Sequence, residues 1–482
     1  MSFNSIDFAV FLTIVFILYW TIARNSLIRQ NIVLLVASYF FYGWWDWRLL
    51  FLIVFISTFN YFSGIGISKQ KKEHQRKYLL ILSLFINLSI LGFFKYYNFF
   101  IENLSGIFSI FGNPLNISTL NILLPIGISF YTFQNISYII DVYREEILPE
   151  KNILIFFNLV AFFPKLVTGP IEKSSNILPQ FNKKRVFDYN LSVDGLRQIL
   201  WGIFKKIVIA DNCAFFVNEI FNNTSYYPGS TLLLGVFLFS FQIYADFSGY
   251  SDIAIGSAKL FGINLMQNFN YPYFAESVAD FWRRWHISFS NWLRDYIFIP
   301  LQFKYRDLGV WGNILSIMIT FILCGLWHGA NWTFIVWGFL HGTYMSFSLL
   351  TQKRRRLFIY NFINWNSFNS FVRIFTTFVL VSFAWIFFKV ENLSQGWLVI
   401  KRIFSASLFS IPYVIPRSDL VMTIFFIFLL VGIEWFQRDN EYALQFIGNN
   451  KSRIVRWGTY YFILLLIFSF GGNPGQFIYI QF

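Results

Sequence analysis

Residues 314–331 read Ile-Leu-Ser-Ile-Met-Ile-Thr-Phe-Ile-Leu-Cys-Gly-Leu-Trp-His-Gly-Ala-Asn, an apolar run that carries His328 near its end and resumes at Trp332. Two apolar stretches joined by Gly329-Ala330-Asn331 suit a membrane helix pair with a break, because hydrocarbon tolerates interrupted backbone only where protein encloses it. An imidazole at that depth is costly, so it marks a functional site by default. A core histidine donating to a carbonyl is the plainer reading. It leaves unexplained the flanking Gly325 and Gly329, whose missing side chains would admit a substrate backbone or a thin acyl chain.

The rest of the 482-residue chain repeats the pattern. It is 56% hydrophobic and 22% aromatic, and only 13% charged, whereas soluble domains are nearer a quarter charged. A membrane span needs about 20 apolar residues. Candidates lie near 6–23, 31–43, 47–66, 78–100, 121–141, 152–168, 196–218, 230–248, 311–327, 331–350, 371–389, 419–436 and 457–470. They predict an all-α polytopic protein with eleven to thirteen membrane-embedded helices. Of these, 31–43 stops short at Gly43-Trp44-Trp45-Asp46 and 311–350 is broken around Gly325 to Asn331. No polar stretch is long enough for an independent globular domain, so residues 1–482 read as a single integral membrane domain with a motif-rich core at about 121–350.

The formal charge of +14 does not point to nucleic acid. The basic residues cluster in short loops: Lys69, Lys71, Lys72, Arg76 and Lys77; Lys183, Lys184 and Arg185; and Lys353 to Arg356. Cytoplasmic loops facing anionic lipid carry such clusters. Loops 24–30 and 68–77 are therefore expected inside, with Trp44 to Trp47 and Asn98 to Asn121 outside. The first apolar run, lacking a basic residue before it and followed by Arg24 and Arg29, reads as a first transmembrane helix and not a cleaved leader. The two cysteines, Cys213 and Cys324, make no disulfide framework, and no zinc-ligand spacing occurs.

Residues 268–307 differ from the rest. Charged Glu276, Asp280, Arg283, Arg284, His286, Arg294 and Asp295 alternate with Phe281, Trp282, Trp285, Phe289 and Trp292 between Pro272 and Pro300. This predicts an amphipathic helix at or just inside a membrane interface, with Asp280 pairing to Arg283 or Arg284. Of the four histidines, His74 sits in a basic, solvated loop and His341 suits a structural hydrogen bond. His286, on the amphipathic segment, is a second catalytic candidate beside His328; Asn291 and Asn331 are polar neighbours in sequence suited to hydroxyl activation. A buried histidine acting as general base contributes roughly 10² to 10⁴ in rate. A further polar stripe, Gln242, Asp246, Ser248, Ser251 and Asp252, falls within or just beyond an apolar span, where it would line a cavity or pair with an arginine.

Several motifs together resemble the membrane-bound O-acyltransferase family, in its alginate O-acetyltransferase membrane-subunit branch, over nearly the whole chain. They are Ser-Phe-Tyr-Thr-Phe-Gln at 129–134 with Tyr138, Asp141 and Tyr143-Arg144; Phe-Pro-Lys-Leu-Val-Thr-Gly-Pro-Ile at 163–171; and Tyr-Ala-Asp-Phe-Ser-Gly-Tyr-Ser-Asp-Ile-Ala-Ile-Gly at 244–256. Asn-Phe-Asn-Tyr-Pro-Tyr at 268–273, Phe-Trp-Arg-Arg-Trp-His-Ile-Ser at 281–288, Trp-Leu-Arg-Asp-Tyr at 292–296, Gly-Leu-Trp-His-Gly-Ala at 325–330 and the C-terminal Phe-Ile-Tyr-Ile-Gln-Phe complete the set.

The resemblance implies broken or re-entrant helices around a central funnel, a catalytic histidine at His328 and a second at His286. Trp327, Asn291, Asn331, Gln242, Asp246 and Gln134 are the candidates for substrate or pore contacts. It also implies a bacterial cytoplasmic membrane, no tightly bound cofactor and no metal. The acyl donor would be acetyl-CoA or an acyl carrier protein thioester, the partner an extracytoplasmic acyltransferase, and the acceptor a polysaccharide or peptidoglycan hydroxyl. D-alanyl transfer from a carrier protein to teichoic acid is the alternative within the class, and a transporter or flippase the alternative outside it. Gln302-Phe303-Lys304-Tyr305-Arg306-Asp307 replaces the Gly-Gly-Asn-Arg-like loop usual in that branch, and is the expected place for differences in donor or partner choice.

Overall fold

The computed structural model describes residues 1–112, 119–120, 122, 124–167, 169–361, 366–447 and 452–471. Thr168 of the 163–171 motif, residues 121 and 123, the side chains of Lys353 to Arg356 and the C-terminal Phe-Ile-Tyr-Ile-Gln-Phe lie outside that description. Every regular element among the described residues is helical. A helix satisfies its backbone within one segment, as hydrocarbon demands.

The helices are α1 (Ile6–Thr21), α2 (Leu27–Gly43), α3 (Leu49–Lys69), α4 (Glu73–Ile110), α5 (Ile128–Tyr143), α6 (Ile153–Ala161), α7 (Phe163–Leu166), α8 (Ser174–Phe181), α9 (Tyr189–Phe204) and α10 (Asp211–Asn222). They continue with α11 (Gly229–Leu260), α12 (Val278–Arg284), α13 (Ile287–Leu293), α14 (Ile299–Lys304), α15 (Val310–His328), α16 (Trp332–Asn361), α17 (Asn366–Lys389), α18 (Leu393–Ile403), α19 (Arg417–Phe436) and α20 (Arg453–Phe470). Among the described residues, α3, α4, α11, α15, α17, α19 and α20 are long and apolar enough to cross a membrane, and α1 and α2 are shorter apolar helices. The protein is multi-pass and all-α.

The helices form two compact units, Met1–Ile199 with Asp252–Met266, and Leu200–Ser251 with Gln267–Phe482. In the first, the span expected from Asn31 begins a turn earlier, because the Ser26 side chain accepts from the Arg29 backbone N–H and caps α2. Gln30 and Asn31, polar enough to suggest a loop, are buried in that first turn. They hold Arg185. Its Nη2 donates to Asn31 Oδ1 (2.7 Å) and its Nε to Tyr19 Oη (2.7 Å), while its backbone N–H and carbonyl bond the Gln30 amide. Arg185 is thus an internal tie, 6% exposed, and not part of a lipid-facing basic cluster as its neighbours suggest. A buried guanidinium requires this full set of acceptors.

The expected span 196–218 is the end of α9 and most of α10, joined by a π-turn at Lys205–Ala210 that lies in the second unit. Buried there, Lys206 Nζ contacts Asp211 Oδ1 (2.7 Å) and Asp246 Oδ1 (2.8 Å). The wider helix register turns both ionic groups inward together.

The amphipathic helix expected over 268–307 is corrected by the structure to a series of short pieces: a 3₁₀ turn at Pro272–Phe274, α12, α13, a π-turn at Arg294–Phe298, α14 and a 3₁₀ turn at Arg306–Leu308. The break follows from His286, whose φ of 44° and ψ of 54° are left-handed and incompatible with a continuing helix. Phe281, Trp285 and Phe289 on these pieces are buried, at 1%, 1% and 0% exposed. Their stretch is therefore core and not an interfacial surface, whereas the pieces from Arg294 to Lys304 contribute no buried residue. Asp280 does pair at helical spacing, with Arg284 (3.0 Å, i,i+4).

The break expected within 311–350 is present: α15 ends at His328 and α16 starts at Trp332. The two helices pack along each other through glycines. A Cβ on Gly325 would overlap the Phe334 carbonyl oxygen, one on Gly338 the Phe321 carbonyl oxygen, and one on Gly329 the Phe334 ring. These glycines make room for the neighbouring helix and not for substrate, which corrects the sequence reading; small residues at a crossing let membrane helices approach backbone to backbone.

Gly325→Ala should consequently lower thermal stability in detergent by at least the 1–3 kcal/mol typical of overpacking. Gly432→Ala, where a Cβ meets nothing within 4 Å, should be neutral or slightly stabilising in its helix. Equal melting shifts for the two variants would contradict this packing.

Candidate active site

The second unit brings His286 and His328 to the same aromatic cluster. His328, the last residue of α15, is 4% exposed. Its ring centroid lies 4.9 Å from that of Trp337 on α16 and 5.0 Å from that of Phe388 on α17. His286 is 1% exposed and lies between α12 and α13. Phe289 connects the two, with its centroid 5.0 Å from His286 and 6.0 Å from His328. Trp327 stacks on Phe289 at 4.0 Å and lies 6.0 Å from His286 and 4.7 Å from His328.

Asn268 sets the chemistry of His286. Its Oδ1 accepts from the Ser288 backbone N–H (3.3 Å) and the Ser288 hydroxyl (2.9 Å), so this atom is the carbonyl oxygen and not the amide nitrogen. His286 Nδ1 lies 3.1 Å from the same oxygen. Nδ1 must therefore carry the proton, and Nε2 holds the basic lone pair. The carboxamide NH₂ donates onward to Ser251 Oγ on α11 (3.2 Å). Outside the membrane-spanning helices, and walled by Phe247, Phe269 and Phe289, His286 has its pKa lowered to about 3 by burial. Its left-handed backbone, with a side chain on the strained residue, costs of order 1–3 kcal/mol. The surroundings thus keep His286 strained, neutral and fixed in one tautomer.

His341 has the structural role its sequence context suggests: its Nδ1 accepts from Trp282 Nε1 (3.2 Å) in the same aromatic cluster.

A membrane-bound O-acyltransferase family model matches residues 146–390. The protein described as "Probable alginate O-acetylase" of Pseudomonas aeruginosa is 38% identical over 378 residues, covering 78% of this chain and 70% of that one.

The chain belongs to the membrane-bound O-acyltransferase family.

A peptidoglycan O-acetyltransferase of Helicobacter pylori is 37% identical over 406 residues, covering 79% of this chain and 74% of its own length. A teichoic acid D-alanyltransferase of Bacillus subtilis is 29% identical over 281 residues, covering 56% and 69%. This O-acyltransferase is accordingly an enzyme, and the transporter reading falls away.

The other sequence candidates are scattered around the acyltransferase. Asn291 is half-buried on α13. Asn331 is spent on structure: its Oδ1 caps α16 by accepting from the Thr333 N–H (3.0 Å), and its NH₂ donates to the distant Glu391 carbonyl (2.7 Å). Gln242 is buried on α11. Asp246 is the ion-pair partner of Lys206, a lysine where an arginine was the expectation. Gln134 belongs to the first unit, where its Oε1 accepts from Lys165 Nζ (2.8 Å) and its NH₂ donates to Ser174 (3.2 Å). In the atypical 302–307 stretch, Gln302 ties α14 to α15 by donating to Asn313 (2.9 Å). Asn268, Ser288 and Phe289 escaped the sequence reading as site residues. Asn268 stands eighteen positions before His286, and in a regular helix residues that far apart lie about 27 Å from each other, so no local pattern announces their contact.

The depressed pKa gives a sign. Unfolded, His286 titrates near 6.5; folded, it stays neutral down to about 3. Stability contributed by its neutral form is thus complete above pH 6.5 and is lost as pH falls, by up to about 1.4 kcal/mol per pH unit. Replacing His286 with Asn, which tolerates the left-handed backbone, should flatten the fall in melting temperature between pH 7 and pH 5. An unchanged slope would exclude the neutral, buried imidazole.

Proposed function

We propose that this membrane O-acyltransferase moves an acetyl group from a cytosolic thioester to a polysaccharide or peptidoglycan hydroxyl beyond the cytoplasmic membrane of a bacterium. The donor is acetyl-CoA or an acyl carrier protein thioester. An extracytoplasmic acyltransferase partner receives the group where transfer is indirect. The observation that carries this reading is the pair of buried histidines meeting at Phe289 and Trp327, one of them held as the Nδ1–H tautomer by Asn268. The acetyl assignment draws support from relatives named for O-acetylation at 37–38% identity, against 29% for one named for D-alanyl transfer.

In this mechanism His328 accepts the proton of the attacking hydroxyl, on the acceptor or on a serine of the partner. The hydroxyl oxygen adds to the thioester carbonyl. Collapse of the tetrahedral intermediate breaks the carbon–sulfur bond, and the imidazolium returns its proton to the departing thiolate, leaving an O-acetyl ester and a free thiol. His286, offering Nε2 as an acceptor, orients donor or hydroxyl. The aromatic surroundings exclude water that would hydrolyse the thioester and strengthen each polar contact within.

The test is transfer from labelled acetyl-CoA or acetyl-carrier protein in proteoliposomes containing the full chain and any co-purifying partner. His328→Ala and His286→Ala should each reduce transfer at least 10²-fold with unchanged elution on size exclusion. Activity of His328→Ala within a few fold of the parent would overturn the general-base assignment. Transfer confined to a D-alanyl carrier protein, with acetyl donors inert, would replace the acetyl reading by the D-alanyl one.

A further inference from the structure

The second unit holds a cavity of about 730 Å³ between α17 and α19, floored by α11 and the Pro272–Phe274 turn. Its walls are apolar along one face of each helix: Phe371, Phe375 and Phe378 on α17, and Ile427, Val431 and Trp435 on α19. Polar groups collect at one end only, where Ser370 begins the α17 face and Arg438 follows the end of α19. The volume falls in the range of small-molecule and cofactor sites. The cavity also opens sideways, since Phe371 and Phe375 are 64% and 58% exposed on a membrane-crossing helix.

Length and charge narrow the occupant. Eight residues separate Ser370 from Phe378, and as many Ile427 from Trp435, which at 1.5 Å per residue is about 12 Å. That is close to half of a hydrocarbon core about 30 Å thick, the depth of one leaflet. At the polar end, Arg373 is already paired with Glu276 (3.1 Å), which also accepts the Ser370 hydroxyl. Arg438 lies over the Trp435 ring at 4.5 Å, and among the described residues no carboxylate is within ion-pair distance of it. A guanidinium at the membrane boundary, above an apolar slot one leaflet deep, matches a phosphate joined to a hydrocarbon chain. The basic run Lys353 to Arg356 precedes α17 in sequence, which assigns this end to the cytoplasmic side.

We infer that this groove binds one anionic glycerophospholipid of the cytoplasmic leaflet, with an acyl chain between α17 and α19 and the phosphate at Arg438. Free phosphate would leave the apolar length unused, and a zwitterionic lipid would present its own cation to Arg438. The groove floor reaches toward the candidate active site, since Tyr273 lies 6.2 Å, ring to ring, from Trp285, which precedes His286.

The experiment is native mass spectrometry of the full chain in mild detergent, with dioleoyl phosphatidylglycerol and dioleoyl phosphatidylcholine supplied at equal concentration. The parent should retain the anionic lipid about fivefold more, the equivalent of about 1 kcal/mol per basic side chain at a membrane surface. Arg438→Gln should bring it down to the phosphatidylcholine level, Arg438→Lys should keep most of the preference, and Val431→Trp, filling the slot, should lower both lipids. Lys401→Gln, on α18, the helix that follows the other end of α17, should change nothing. Equal retention of the two lipids by the parent, or a preference undiminished in Arg438→Gln, would overturn the inference. So would competition by inorganic phosphate alone, or a co-purifying protein that Val431→Trp displaces while lipid binding is unchanged.

Discussion

Backbone amides and carbonyls in hydrocarbon have no water to bond, and every interruption of a helix must be repaired by protein. The histidines of the candidate site both sit at such interruptions. At the first, Asn268 and Asn270 splint the gap between α12 and α13. The Asn270 N–H donates to the Arg284 carbonyl (2.9 Å), the Ile287 N–H to the Asn268 carbonyl (2.9 Å), and the Ser288 N–H to the Asn268 side chain. At the second, Asn331 caps α16 with its side chain. The same repairs that make the breaks tolerable hold His286 in the gap between two helices and His328 at the last residue of α15, with their rings turned among aromatic neighbours.

These repairs have chemical consequences. Because the Asn268 oxygen also serves the Ser288 backbone, its identity as an acceptor is fixed, and so is the tautomer of His286. Dryness follows from Phe289, Trp327, Trp337 and Phe388, which surround the two imidazoles. The neutral imidazole of His286 keeps its Nε2 lone pair as a hydrogen-bond acceptor, whereas an exposed one would be partly protonated and partly hydrated. Rigidity comes from the α15–α16 crossing, where backbone meets backbone at Gly325 and Gly338. The Lys206 ion pairs with Asp211 and Asp246 fasten the π-turn to α11, the helix that also supplies Ser251 to Asn268.

Much of this was legible in the chain. The apolar segments reproduce the long helices to within a turn or so at many ends, and the break before Asn331 is visible because Gly329 interrupts an otherwise continuous run. His328 stands out for the same reason. Other elements misled: Lys183, Lys184 and Arg185 look like one basic loop, yet Arg185 turns inward to Tyr19 and Asn31. The mixed polar and aromatic composition of 268–307 imitates one interfacial helix, while Phe281, Trp285 and Phe289 are core and, of its aromatics, only Phe303 near its end is exposed. Gly325 and Gly329 suggested space for substrate, but the space is taken by Phe334.

By itself, then, the sequence determined a multi-pass helical membrane protein, the positions of its long apolar helices and the family to which its motifs belong, but not that expected spans such as 152–168 and 196–218 are short or divided helices. Hydropathy and short motifs are local records of the solvent each segment meets. Tertiary structure alone decided that His286 occupies a left-handed break, that Asn268 sets its tautomer, and that its ring meets the neighbours of His328. It also decided which face of α17 and α19 remains open toward Arg438. Such facts depend on contacts between residues far apart in the chain, whose pairing is selected by burial, close packing and the need to satisfy every polar group away from water.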